Sequence, residues 1–369
     1  MFNTFNEIAP EYDFEFSVAF QARKEERRFW NPDEMDLNFP YTYSTGWGSS
    51  ALEHFTYTTM NPDILRQVRS GDYDFVLMSP FMGISNWMFA LLPAGRTIKV
   101  MWSETNMLST RYMSALSRFW KKRLMKPFEI NALPGERALE YVNVIDPSAA
   151  RKPIIWLPNI VDSRLFVERT EAFRKDRSAI RKDLGVSAGT TLILGIGMIF
   201  EKKGFDLTIE AARMVEGDYK IIILGDGPKR EEWQKRIDDY QINDRIEMPG
   251  QVDPETVARH FAAADWFYHP ARFDPSPLVV IEASNAGMPL AISKHTGNSP
   301  EALDNGRAGV ELDASGPEEM AAGLRKMLSV GDEERRAMGA RAAEIASEKF
   351  EAGGVVRRFY EALLAHRSE

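Results

Sequence analysis

The sequence predicts an α/β protein of two domains, each built on a parallel, doubly wound sheet. Three observations carry this. The chain has 369 residues, too many for one comfortable core and right for two domains of ordinary size. Hydrophobic residues make up 44% of it, enough to pack both. Short apolar runs alternate with amphipathic helical patterns at the spacing of βαβ units.

In the first half the alternation is less regular. YDFEFSVAF (12–20), DFVLMS (74–79), RTIKVMWS (96–103) and PIIWLP (153–158) read as strands. PGERALEYVNVI reads as a helix that starts after Pro134 and Gly135. Residues 163–185 are polar and charged, which reads as the connection between domains. The boundary is placed within 165–185, giving domains 1–170 and 171–348. Residues 349–369 form a last helix able to cross back to the first domain.

The second half is clearer. LILGIGM (192–198) is a strand, IFEKKGF a loop, and Asp206 a candidate N-cap for the helix LTIEAARMV. YKIIILG (219–225) is the next strand, closed by the turn Gly225-Asp226-Gly227-Pro228. EEWQKRIDDY reads as a surface helix, RIEMPG as a strand, PETVARHFAAA as a helix and ADWFYHP as a strand. PEEMAAGLRKML and DEERRAMGARAAEIASEKF are amphipathic helices that close this domain.

Composition removes several function classes. The net charge is −8, the wrong sign for a general nucleic-acid binder. There is no cysteine, which excludes disulfides, thiolate catalysis and zinc–thiolate sites. The five histidines show no metal-ligand spacing. No apolar run approaches the roughly 18–20 residues of a membrane span, and no secretory signal pattern opens the chain. A cytoplasmic protein is the expectation.

In open parallel sheets, ligands sit at the carboxyl ends of the strands. Two loops of the second domain lie there, one with Lys203, the other with residues 274–278. In ARFDPSPLVVIEASNAGMPLAIS (271–293), Ser276 before Pro277 reads as an N-cap followed by proline at the first helical position. The amides of Leu278 and Val279 then open the helix and make an anion site. Glu282 lies one turn further in, among apolar residues, and needs donors such as sugar hydroxyls. Gly287 and Pro289 end the helix. Each piece alone has a plain structural reading: a half-exposed glutamate, a solvated lysine, a stiff turn. Their joint placement at strand ends is what points to a site.

GIGMIFEKKGFDLTIEAA, LGDGP, the run from PGQVDPETVARHF to MPLAIS, and SPEAL resemble the C-terminal domain of glycosyltransferase family 4. LPGERALEYV and LPNIVDSRLF resemble that family's approach to its domain linker. The likeness covers residues 130–369 well and the first third weakly. It implies GT-B architecture: two Rossmann-like domains with a cleft between them. It implies transfer of a sugar from a nucleotide-sugar donor, UDP-, GDP- or ADP-linked, with retention of configuration. It also implies a sugar or lipid-linked acceptor in polysaccharide or glycoconjugate synthesis, and no cofactor or bound metal.

Residue by residue, the likeness implies that Asp274 and Glu282 are the family's two acidic residues eight apart. Asp274 would lie near the donor sugar and Glu282 on the ribose. Lys203 would neutralise the diphosphate. Leu278 and Val279 would offer amides to phosphate, and Gly197 would let a strand end approach the donor. Gln251 and Val252 would lie near the base. The chain departs from the pattern at Met198, where arginine is usual, at Asp274, where glutamate is usual, and at Pro277, where glycine is common. Arg272 or Lys202 would have to stand in for the arginine. FNTFNEIAP resembles the helix after the family's first strand, so the first domain is expected to lack that strand and the natural chain to begin upstream. Two other readings stay open: a sugar-nucleotide epimerase of similar fold, and a degenerate nucleotide-sugar-binding protein.

Two features belong to the first domain. WSETN (102–106) follows a strand, which would bring Glu104 to the acceptor; a capping or salt-bridging glutamate is the equal alternative. RFWKKRLMK (118–126) has five basic residues, no acidic ones, and two aromatics. Such a helix suits an anionic membrane surface, or it is a solvated face with its aromatics turned inward.

Overall fold

The structure, a computed structural model, describes residues 1–21, 37–44, 60–71, 73–81, 83–93, 95–109 and 113–367. The chain divides into two compact units: residues 1–158 with 352–369, and residues 159–351. The division falls twelve residues before the expected 170/171, which lies inside the helix Arg164–Arg174. The charges of that helix hide an apolar stripe. Phe166, Thr170 and Phe173 recur at helical spacing, and Phe166 meets Phe261 edge-on at 4.9 Å.

The first unit opens with α1 (Phe2–Ile8), and no strand precedes it among the described residues. Of the run 12–20 only β1 (Val18–Phe20) is extended, paired in parallel with β2 (Tyr41–Tyr43). A short 3-10 turn, Ala9–Tyr12, carries Pro10 at its second position, and Asp13 takes a left-handed conformation at φ 58°, which interrupts any longer strand. After α2 (Pro62–Ser70), a four-stranded parallel sheet runs β3 (Phe75–Met78), β4 (Ile98–Trp102), β5 (Ile130–Leu133) and β6 (Ile154–Trp156). Its crossovers carry α3 (Gly83–Leu91), α4 (Ala115–Met125) and α5 (Glu136–Ile145). Strand β5 escaped the sequence reading because INAL is four residues long with a central asparagine. That asparagine is half satisfied where it sits: Asn131 Nδ2 donates to the Ala149 carbonyl at 2.8 Å, while its Oδ1 is buried with no partner among the described residues. The C-terminal helix Ala352–Arg367 belongs to this unit. Phe359 and Tyr360 pack on Phe5 at 5.1 and 5.8 Å, and the Tyr360 hydroxyl donates to the Phe5 carbonyl.

The second unit begins with α6 (Arg164–Arg174) and α7 (Arg177–Asp183). Its strands are β7 (Thr191–Ile196), β8 (Tyr219–Leu224), β9 (Ile246–Gly250), β10 (Trp266–His269), β11 (Leu290–Ser293) and β12 (Gly309–Leu312). All pair in parallel, in the order β12-β11-β10-β7-β8-β9. Between them run α8 (Phe205–Ala212), α9 (Arg230–Asp239), α10 (Pro254–Ala263), α11 (Leu278–Asn285) and α12 (Ser299–Leu303), followed by α13 (Pro317–Ser329) and α14 (Asp332–Ile345). Two apolar cores form, as expected for a parallel sheet covered on both faces. Helix α9 is less superficial than its charges imply: Trp233 and Ile237, one turn apart, are fully buried. Asp253 caps α10 by accepting the Glu255 and Thr256 amides at 2.9 and 3.0 Å.

Chain order reverses at the pair β7–β10. From β7 the chain winds outward through β8 and β9; from β10 it winds the other way through β11 and β12. The carboxyl ends of these two strands are therefore the switch point, where such sheets bind ligands.

Candidate functional site

The loop after β7 is fixed from both sides by close backbone contacts. Gly225 has φ 134°, and a Cβ there would lie 2.0 Å from the Gly197 carbonyl oxygen. The Ile199 amide donates to the Asp226 carbonyl at 2.9 Å, so the Gly-Asp-Gly-Pro turn lies against the loop. At the far end Gly204 has φ 73°, and a Cβ would lie 2.0 Å from the Pro270 carbonyl oxygen. Only glycine fits such a position. The Arg272 amide donates to the Lys202 carbonyl at 2.8 Å, and its guanidinium donates to the Glu201 carbonyl at 2.7 Å. The same guanidinium binds both oxygens of Asp206, at 2.5 and 2.7 Å. Asp206 is thus in the first turn of α8 rather than at its N-cap, which is Gly204. The expected N-cap role fails because the helix starts at Phe205, one residue before Asp206, whose carboxylate instead meets the guanidinium from the loop after β10.

These contacts bring Lys203 to Asp274. The Lys203 ammonium is 2.5 Å from Asp274 Oδ2. A Cβ built on Gly197 would touch the Lys203 stem at 3.6 Å, so Gly197 and Lys203 are neighbours. His269, the last residue of β10, brings Nε2 to 3.1 Å from the same Oδ2. Burial pushes the Asp274 carboxyl up, but the His269 and Lys203 contacts outweigh it and hold it below its ordinary value. Burial pushes His269 down, against the pull of Asp274, so the ring is neutral. Sequence reasoning missed His269. Its signal was a histidine ending a central strand, five residues before Asp274.

The helix start shifts by one residue. Pro277, with ψ 123°, stands at the N-cap of α11, and no side chain caps it. Ser276 is not the cap: it lies one residue outside the helix start, and its carbonyl accepts from Asn159 Nδ2 at 3.4 Å. The amides of Leu278 and Val279 still fall in the first turn, where no preceding carbonyl of the helix can accept them. Asn298 Nδ2 donates to the Pro277 carbonyl at 3.4 Å, and Asn285 Nδ2 donates to Ser163 Oγ at 3.2 Å. Both ends of α11 are therefore anchored.

Glu282 shares the half-open stripe of α11 with Leu278 and Asn285, while Val280, Ile281, Ala283 and Ser284 are buried. Its apolar neighbours in sequence point elsewhere. Even so, burial raises its carboxyl above the ordinary value, and no hydrogen-bond or ion-pair partner meets it among the described residues. It is a carboxylate in want of donors.

The remaining expected residues are less central. Gln251 and Val252 follow β9, the edge strand next to β8. At the usual strand spacing they lie about 10 Å from the end of β7. Gln251 is exposed, and Val252 packs partly on the core. Glu104 is in the other unit, in the loop after β4. Met198 is 46% exposed. Of its expected substitutes, Arg272 is committed to Asp206, and the Lys202 ammonium lies 6.0 Å from the Phe273 ring centroid.

The switch point thus combines an ammonium, a depressed carboxylate, an open helix start and a raised, unpartnered carboxylate. Such a set suits a ligand with an anionic group and hydroxyls.

Residues 176–345 match the family described as glycosyl transferases group 1. The chain is 28% identical over 214 residues to the N-acetyl-alpha-D-glucosaminyl L-malate synthase of Bacillus anthracis, covering 56% of this chain and 52% of that protein. It is 28% identical over 218 residues to a GDP-mannose-dependent alpha-(1-6)-phosphatidylinositol monomannoside mannosyltransferase of Mycobacterium tuberculosis, covering 55% and 53%. The chain spans about half the length of the curated relatives it matches. Among solved structures, Anabaena HepE in complex with UDP superposes with a TM-score of 0.70 at 17% identity, over 95% of this chain and 100% of that one. That likeness shows the fold: two Rossmann-like α/β domains of GT-B type.

Proposed function

Taking residues 176–345 as a glycosyl transferases group 1 domain, we propose that the chain is a retaining glycosyltransferase that uses a nucleoside diphosphate sugar. One observation carries this reading. Lys203, Asp274 and the start of α11 converge on the switch point, with Glu282 unpartnered one turn beyond. In the reaction the bond between the anomeric carbon and the diphosphate breaks, and a bond to an acceptor oxygen forms as that oxygen loses its proton. Charge develops on the leaving diphosphate, so stabilising it is the main catalytic task. Lys203 and the Leu278 and Val279 amides serve that charge. Asp274 meets the donor sugar, Glu282 accepts from the ribose hydroxyls, and Glu104 faces the acceptor. Gln251 and Val252 lie toward the base. The reading needs no bound metal, because Lys203 and the amides meet the charge.

A thermal-shift screen with UDP, GDP, ADP and their sugars tests it. The nucleotide that stabilises the protein names the donor by linkage; no response to any of them refutes the reading. Products formed from the donor alone would instead favour an epimerase.

The reading extends to the cytoplasmic face of a membrane, through residues 118–126. No helix among the described residues is long and apolar enough to cross a membrane. However, Leu116, Phe119 and Trp120 on α4 are 66%, 62% and 52% exposed. The alternative of aromatics turned inward is thereby corrected: the inner face of α4 is filled by Leu124 and Met125. Helix α3 packs beside α4 and exposes Trp87 and Leu91. Apolar side chains beside Arg118, Lys122 and Arg123 suit an anionic lipid surface. Sedimentation with phosphatidylglycerol vesicles should pull down the native chain and not the double variant F119S/W120S. Equal sedimentation of both refutes the contact.

A further inference from the structure

The imidazole of His269 is fully buried at the end of β10, stacked on Phe267 at 6.4 Å and 11°. Its Nε2 and the Lys203 ammonium both meet one oxygen, Asp274 Oδ2, at 3.1 and 2.5 Å. Its Nδ1 is buried and has no partner among the described residues. A neutral imidazole carries one proton. With a carboxylate against Nε2, that nitrogen holds it, and Nδ1 is the bare lone pair.

The second donor on Oδ2 matters when Lys203 is needed elsewhere. On the donor reading above, on which this inference rests, Lys203 serves the diphosphate. The Asp274 side chain is only 12% exposed, and stripping a buried carboxylate of its sole partner is costly. Here Asp274 is not left alone. We infer that His269 is a positioning residue: it fixes the Asp274 carboxylate and keeps it partnered while the Lys203 ammonium turns toward an entering diphosphate.

If the ring merely filled space, phenylalanine would replace it, since it keeps the stack on Phe267. The variants His269→Phe and His269→Gln separate the two ideas, because the glutamine amide can donate close to where Nε2 sits. Binding of UDP, GDP and ADP and of the matching monophosphates is measured by calorimetry, and the nucleotide with affinity for the native chain is used. His269→Phe should weaken the diphosphate about tenfold, the worth of one hydrogen bond to a charged group. The monophosphate should change less than threefold, and His269→Gln should restore the diphosphate to within threefold of native. No loss in His269→Phe, or equal loss for both nucleotides, overturns the inference. Long-range 15N–1H spectra of the nucleotide-free native protein give an independent reading: a proton on Nε2 is expected, and one on Nδ1 overturns the inference whatever binds. A native chain that binds none of the nucleotides refutes the donor reading and the lysine half of this one, while the spectra still decide the link between His269 and Asp274.

Discussion

Replacing Glu282 by glutamine should make the nucleotide-free protein more stable at neutral pH while removing its affinity for a nucleoside diphosphate. The native carboxylate is largely desolvated and unpartnered among the described residues, and burial raises its pKa. Leaving a buried polar group unsatisfied costs about 1–3 kcal/mol. Glu282 lies on a half-open stripe, so about 1 kcal/mol is the working figure. For a unit of this size that is about 2–4 °C in Tm. The pH dependence has a definite sign. Between the unfolded and the raised folded pKa the native state binds more protons, so native stability falls as pH rises through that window. The amide does not titrate, so its advantage should grow over the window and level off above it. Thermal unfolding of both proteins from pH 4 to 8 measures this, and calorimetry with the nucleoside diphosphate measures the loss, expected to exceed tenfold. Parallel stability profiles, a less stable variant at pH 7, or unchanged nucleotide affinity would each refute the reasoning.

Gly204→Ala should cost about 2–4 kcal/mol, since φ is 73° and the new Cβ would sit 2.0 Å from the Pro270 oxygen; a Tm within 1 °C of native argues otherwise. Arg181 is buried and donates to Asp265 at 2.9 Å and to the Ala263 and Ser187 carbonyls at 3.0 and 3.1 Å. Asp265 keeps Arg177 at 2.7 Å, so Arg181→Ala should cost about 1–3 kcal/mol for the carbonyls it leaves unpaired, read as a lower urea midpoint, and an unchanged midpoint contradicts it. Met198→Arg places a cation on the exposed side of the Lys203 loop and should tighten nucleoside diphosphate binding about two- to fivefold at low salt. Weaker or salt-independent binding would show that this position does not face the ligand.

Much of this protein is written locally. The run 192–198, the turn at 225–228 and the helix 254–263 follow from periodicity, glycine and a capping aspartate, each readable within a dozen residues. So do Lys203, Asp274 and Glu282, which stand out as polar groups at strand ends or inside an apolar run. Strands β5, β11 and β12 were not legible, because each is only four residues long; β5 and β11 are buried throughout and β12 exposes Glu311 alone, so none shows a period of its own. The charged stretch 163–185 was misread as a connection because the stripe Phe166–Thr170–Phe173 shows as apolar only once Phe261 is opposite it. Tertiary structure alone decided what each site residue faces. Arg272 looked like a free cation and is bound to Asp206, 66 residues back. Asp274 reached Lys203, 71 residues back, and a histidine. Glu282 looked fully buried among valines and instead lies on the half-open stripe of its helix. The physical reason is the same in each case: propensity and periodicity act over one turn or one strand, whereas the partners of a charge are set by strand order, which brings β7 and β10 together across 69 residues of chain.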